Sequence, residues 1–208
     1  MSPAMNGRSI MRSALRTTCL ILFPAVLAAQ SGALRRGAFT ASLGEGVGSA
    51  ALSCDACSSS RQTSIALLGR VGVVVRSNLV LALEGSGWTK DFANSTGSAT
   101  ARIAFVDLVA QWYPAAGSPF FLKGGGGLSS IRDEVIVAGV PNTTIESTSP
   151  AFVLGAGWDL SLTSRVGVAP YVDFNMGTKS TAKVNNLSSN QQLGGNLLQA
   201  GFAVSWRQ

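Results

Sequence analysis

A chain of 208 residues without a single histidine has few catalytic chemistries open to it. Ser–His–Asp and Cys–His nucleophile arrangements, imidazole bases and histidine metal sites are all excluded. Carboxylate-only catalysis stays open. The remaining candidates are charged residues, and these are sparse at 12% of the chain. Six of them, Arg70, Glu84, Asp107, Lys123, Asp159 and Asp173, fall on the polar side of segments that alternate apolar and polar residues. Charges brought together in this way form either an ion path or binding site, or a packed plug of salt bridges. Two cations cannot neutralise four carboxylates. The surplus must reach water, be protonated, or pair with loop cations such as Arg102.

Cys54-Asp55-Ala56-Cys57 is a lone CxxC. Structural zinc wants four ligands, and no histidine is present to complete a set. A redox CxxC usually opens a helix in a thioredoxin-like fold, and no such pattern surrounds this one. A disulfide within an exposed loop is the simpler expectation. Gly44-Glu45-Gly46-Val47-Gly48 and Gly124–Gly127 lack a following helix and a Lys–Ser/Thr pair, so they do not read as phosphate loops. Glycines inside strands instead permit close packing and curvature. No motif implies a cofactor or a metal.

The elements that must position these residues are strands. The chain is 46% hydrophobic with 24 glycines, yet no apolar run after residue 29 is long enough to span a bilayer as a helix. Eight period-two segments can be drawn: Ala38–Gly48, Ser64–Val75, Leu79–Trp88, Ala101–Tyr113, Phe120–Ser129, Ala151–Leu160, Val166–Met176 and Leu198–Trp206. In the last, Leu198, Ala200, Phe202, Val204 and Trp206 share one face, and Gln199, Gly201, Ala203 and Ser205 the other. Each segment is close to the roughly 9–11 residues a tilted membrane strand needs. The connections alternate. Arg76–Asn78, Pro114–Pro119 and Ser161–Arg165 are short, whereas Ser49–Thr63, Thr89–Thr100, Ser130–Ser149 and Gly177–Gly195 read as long loops. Short turns at one end and long loops at the other fit a bacterial outer-membrane barrel. An even strand count then places both termini on the periplasmic side.

Ahead of the strands, Arg8, Arg12 and Arg16 precede the apolar run Cys19–Ala29. A basic stretch, a short apolar core and small residues make a secretory signal peptide. The expected organisation is therefore a leader at 1–29 and a barrel domain at 30–208. Three of the 16 Lys and Arg leave with the leader, so 13 remain against 10 Asp and Glu, an excess of +3. There is no basic run interleaved with aromatics, so nucleic acid is not an expected partner. Cys54 and Cys57 remain, consistent with export to an oxidising compartment.

The aromatics separate a membrane barrel from a soluble one. Phe39, Trp112, Phe120, Trp158 and Trp206 all lie on apolar faces at the short-turn end. Aromatics at one level form an interfacial girdle, which a water-facing surface does not require. An eight-stranded barrel is just wide enough for its own side chains. That favours the plug over an ion path.

With its pattern of strands, its glycine-rich Lys123–Leu128 segment and its terminal aromatic strand, the chain resembles the small eight-stranded outer-membrane barrels of the OmpA transmembrane-domain and OmpX type. The resemblance covers the whole chain after the leader. It implies an all-β, antiparallel, up-and-down transmembrane barrel with a structural or surface-interaction role. Its expected partners are outer-membrane lipid, the barrel-insertion machinery and an extracellular ligand at the loops. It does not imply an enzyme. Outer-membrane lipid hydrolases use histidine, which is lacking here. The family usually ends on an aromatic, whereas Arg207 and Gln208 follow Trp206, a departure that implies weaker recognition by the insertion machinery. The alternatives are a soluble lipocalin-like barrel for an apolar ligand, and a narrow channel or outer-membrane enzyme. The lipocalin reading needs an apolar interior, and the six charges lie on the wrong face for it.

Overall fold

The computed structural model describes residues 38–54, 60–94, 97–115, 117–137, 139 and 141–208. Residues 1–37, which include the expected leader, and parts of four connections, Cys57 among them, lie outside these residues. All described residues belong to one compact unit, Leu34–Gln208.

The chain folds as β1 Phe39–Cys54, β2 Gln62–Arg76, β3 Leu79–Asn94, β4 Gly97–Trp112, β5 Phe120–Val137, β6 Thr143–Trp158, β7 Leu160–Ser161, β8 Val166–Val184 and β9 Leu187–Arg207. The two residues of β7 continue β6 along β8 after Asp159, so the sheet holds eight long strands. Every neighbouring pair is antiparallel and consecutive, and β1 pairs with β9 from Thr40↔Arg207 to Cys54↔Leu193. The sheet therefore closes on itself and leaves no edge. Full closure is what allows a sheet to sit in lipid, where an unpaired backbone group has no water to bond.

The alternation inferred from sequence fixes which side faces out. Leu43 is 65% exposed, Leu108 66% and Phe202 61%, while their strand neighbours Ser42, Asp107 and Ala203 are buried. Large apolar side chains are thus on the outside of all eight long strands. Isolated exposed apolar residues are ordinary, but a continuous belt is not. One residue interrupts it. Glu45 faces outward between Leu43 and Val47 and pairs in register with Leu67 and Phe202.

The long loops expected from the sequence are largely absent. β3 and β4 stay paired to Asn94↔Gly97, and β8 and β9 to Val184↔Leu187. Gly177–Gly195 is thus two strand arms with a tight turn at Asn185 and Asn186, both at positive φ. β9 alone runs 21 residues. The physical reason is visible on the outward face. Its apolar side chains stop at Val47, Ile65, Leu128 and Leu198, and Ser49, Thr63, Ser130 and Asn196 follow. The ladder continues beyond the lipid, but both faces then meet water and the period-two hydropathy signal vanishes. Side chains brace these extensions. Thr100 Oγ1 donates to Asp91 Oδ1 at 2.8 Å, and Arg132 bridges Glu134 at 2.8 Å and Glu146 at 3.4 Å. Near Pro150, which has no N–H, the β6–β8 ladder breaks between Glu146 and Ala151. The Ser180 and Thr178 hydroxyls donate there to the carbonyls of Thr148 (2.7 Å) and Pro150 (3.2 Å).

Candidate functional site: the barrel lumen

The lumen is built by alternate residues of each strand, and its contents change with height. Nearest the short-turn end, Arg207 Nη2 forms an ion pair with Asp159 Oδ1, and its Nη1 donates to Ser161 Oγ at 2.7 Å. Asp159 Oδ2 also accepts from Tyr113 OH at 3.2 Å. One step inward, Gln111 links Tyr113 OH (2.5 Å) to Arg70 Nη1 (2.6 Å). Arg70 lies 5.7 Å from the Phe121 ring centroid, within cation–π range.

Arg70 then reaches Glu84 at 3.6 Å. The centre is Lys123. Its Nζ stands 2.6 Å from both oxygens of Glu84 and 2.9 Å from Asp173 Oδ2. Gln199 Nε2 donates to the same Asp173 oxygen at 3.3 Å. Lys123, Glu84 and Asp173 are all essentially inaccessible to solvent. Gly155 makes room for this arrangement. A Cβ there would stand 2.8 Å from Lys123 Cε and would overlap Asp173 Oδ1.

Five of the six sequence-selected charges, Arg70, Glu84, Lys123, Asp159 and Asp173, thus join one chain of contacts running from Arg207 to Gln199. Asp107 is buried in register with Glu84, but its Oδ1 has no hydrogen-bond partner among the described residues. Arg102 does not serve the surplus carboxylates; it is exposed on the outward face of β4. Arg207 does, supplying a third lumenal cation. Its alternation was readable: Gln199, Gly201, Ala203 and Ser205 point inward, and the next residue of that parity is 207.

Apolar layers share the lumen with this polar plug. Trp88, Ile103, Phe105, Ile131 and Leu197 pack into a buried apolar layer above the Lys123 network. Leu68, Val80, Phe121, Ala169, Tyr171 and Ala203 form another around Arg70 and Tyr113. Trp88 Nε1 donates to the Gly48 carbonyl at 3.1 Å, which fixes the indole across the lumen. Below this layer the cavity beside Ser42, Arg70 and Gln111 is about 20 Å³, room for about one water and not a path. The Lys123 group lies beneath the first of these layers, and its charged atoms contact one another.

The aromatic residues occupy the outward face at a common end. Phe39 opens β1, Trp112 closes β4, Phe120 opens β5, Trp158 closes β6, and Trp206 is penultimate in β9. The three tryptophans are each 44% exposed. Phe120 and Trp158 are directly paired across strands with ring centroids 5.3 Å apart. Cys54 is disulfide-bonded; Cys57 lies outside the described residues. Among the described residues no group of three or more Cys, Asp and Glu is placed to hold a metal ion.

No family model matches the chain, and no curated protein sequence matches it. Solved structures do. Neisserial surface protein A superposes with a TM-score of 0.50 at 18% identity, covering 82% of this chain and 97% of that one. Ail, the attachment invasion locus protein of Yersinia pestis, gives 0.50 at 12%, covering 81% and 99%. A major outer-membrane protein of Thermus thermophilus gives 0.50 at 10%, covering 81% and 99%. The chain has the fold of the small outer-membrane β-barrels. At these identities the likeness establishes fold, and the role must come from this chain's own residues.

Proposed function

We propose that this protein is an exported, integral outer-membrane barrel with a closed lumen, acting as an envelope component whose extended strands form a braced surface outside the membrane. One observation carries the reading: a belt of large apolar side chains stands exposed around the whole barrel, bounded by aromatics at the short-turn end. Water would penalise that surface by roughly 25 cal/mol per Å², whereas lipid matches it. The soluble lipocalin-like alternative requires the reverse, an apolar interior beneath a polar outside.

Lipid is the proposed partner of the belt, and the insertion machinery its partner during assembly. The interior supports a non-catalytic, non-conducting role, because Lys123 is held between Glu84 and Asp173, Arg207 is held by Asp159, and an apolar layer closes the lumen above the Lys123 network. Cys57 is the proposed partner of Cys54, closing a small ring at the outer end of β1. Membrane fractionation with gel mobility before and after boiling tests the reading. Outer-membrane recovery, resistance to carbonate and a heat-dependent mobility shift are expected. Recovery as a soluble protein without detergent overturns it.

A further inference from the structure

We propose that the cleft at the outer mouth of the barrel is a binding site for a small apolar amine, with the ammonium group seated on Asp133. The site lies above the apolar layer, where the strands have left the belt. It rests on the barrel reading only in that this mouth faces the outside.

A cavity of about 350 Å³ opens there, between the inner faces of β1 to β5. That is at the small end of the range for ligand sites. Its floor is Trp88 and its walls are Leu52, Phe92, Ala101 and Val135, so almost all of the surface offered is apolar. Ser60, Gln62 and Thr100 add neutral polar groups, and Asp133 is the one ionisable side chain among the lining residues. It sits in register between Ala101 of β4 and Ile145 of β6, neither of which has a polar side chain. Its Oδ1 is fully enclosed and has no hydrogen-bond partner among the described residues.

The nearby charges are otherwise committed. Arg132, on the opposite face of β5, is bonded to Glu134 and Glu146. Lys90 donates to the Thr63 carbonyl, and Arg61 to Ser49 and Asn196. An enclosed carboxylate without a cation is costly, and burial pushes Asp133 up to about 6. A ligand that brings a cation satisfies it. An apolar body fills the cleft beside the two aromatic rings, whose faces also attract an ammonium group. An acid would meet repulsion, and a neutral ligand of the same shape would leave the charge unpaired.

The test uses the full barrel in phosphatidylcholine nanodiscs and isothermal titration at pH 8. The probes are phenethylamine, 2-phenylethanol and 3-phenylpropionate, which share one apolar body. Expected is saturable one-site binding of phenethylamine, with the alcohol at least tenfold weaker and the acid weaker still. Asp133→Asn should weaken the amine at least tenfold, and Asp133→Glu should recover part of the loss. Ala101→Leu, which fills the cleft and leaves the carboxylate in place, should abolish binding of both amine and alcohol. The heat-dependent gel shift confirms that each variant is folded. Equal binding of amine and alcohol, unchanged amine affinity in Asp133→Asn, or no saturable binding to the folded wild type would each overturn the proposal. None of these results would touch the membrane assignment, which fractionation tests separately.

Discussion

Removing the Lys123 ammonium should be among the most damaging single changes to this barrel. Lys123 Nζ neutralises two carboxylates at once, at 2.6 Å from each Glu84 oxygen and 2.9 Å from Asp173 Oδ2, and all three side chains are buried. Lys123→Met keeps the length of the stem and deletes the charge. Breaking a buried pair by removing one partner typically costs about 3–5 kcal/mol, because the other charge is left without compensation. Here two carboxylates are left. Arg70 offsets part of the loss at Glu84 from 3.6 Å, and nothing equivalent reaches Asp173. The expected cost is therefore about 3–5 kcal/mol, read as a shift in urea midpoint by tryptophan fluorescence with the barrel folded in lipid vesicles. Neutralising the stranded groups should undo much of it. The triple variant Lys123→Met, Glu84→Gln, Asp173→Asn should recover at least half of the lost stability. A loss under about 1 kcal/mol in Lys123→Met, the range of solvated pairs, would mean that the network is open to water as in a pore, and the closed-lumen argument would fail. No recovery in the triple variant would mean that Lys123 matters through packing and not through charge.

The other expectations follow from the two faces of the wall. Leu81→Arg and Val106→Arg put charge on the lipid side and should each cost about 2–4 kcal/mol, whereas Asn190→Arg, on the exposed outer arm of β9, should be nearly neutral; equal tolerance at all three positions would remove lipid from the picture. Glu45→Leu should stabilise the folded barrel by about 1–2 kcal/mol, since a carboxylate in the belt carries a cost of that order, and a destabilised variant would show that Glu45 has a partner. Asp133 has a folded-state pKa near 6 against roughly 3.9 unfolded. Its burial penalty is thus absent below about pH 4 and complete above about pH 6, so this group's share of stability is lost as pH rises across that window. Asp133→Asn should gain about 1–2 kcal/mol at pH 8, after allowance for partial solvent screening, and nothing at pH 4; a gain independent of pH would refute the assignment. The double variant Cys54→Ser, Cys57→Ser should still fold and keep its heat-dependent mobility, since a ring this small belongs at the low end of the roughly 0–5 kcal/mol disulfide range.

What the sequence made legible depended on which solvent each face meets. The eight strands, their order and their outward faces were readable because lipid demands apolar residues at every second position. Leu79, Leu81 and Leu83 announce both the strand and its orientation. Beyond Val47 or Leu128 no such demand applies, and backbone pairing through Ser130–Val137 leaves no hydropathy trace. The arms therefore looked like loops, and Asp133 was hidden within one of them. The inward face was only half legible for a related reason. It must be filled, but either apolar packing or saturated ion pairs will fill it. Ile103 and Phe105 sit in a run, Ile103–Leu108, whose lipid-facing residues are also apolar. Periodicity cannot separate two greasy faces. Only Asp107 and Gln111, further along the strand, marked the interior.

Arg207 shows how the two faces interact at the seam. The residues after Trp206 look like a departure from an aromatic terminus when the strand is judged by its lipid side. Judged by its inner side, the same strand is uninterrupted. Arg207 follows Ser205 in parity, enters the lumen and pairs with Asp159, while its backbone N–H donates to the Arg165 carbonyl at 2.8 Å. Gln208 and Phe39 exchange both backbone hydrogen bonds, at 3.1 and 3.2 Å, which extends the β1–β9 ladder by one more rung. The ion pair thus fastens β9 to the segment after β6 from within, and the extra rung fastens it to β1 from the other side. β1 and β9 are the most distant elements in sequence, and their pairing carries the largest loop-closure cost in the fold. A buried charge pair there is costly to desolvate and weak evidence of net stability. Its value lies in register: a slip of one residue would turn Arg207 toward the membrane interface and Trp206 into the lumen. The seam is therefore set by an inward cation and an outward indole on adjacent residues, each tolerated on only one side of the wall.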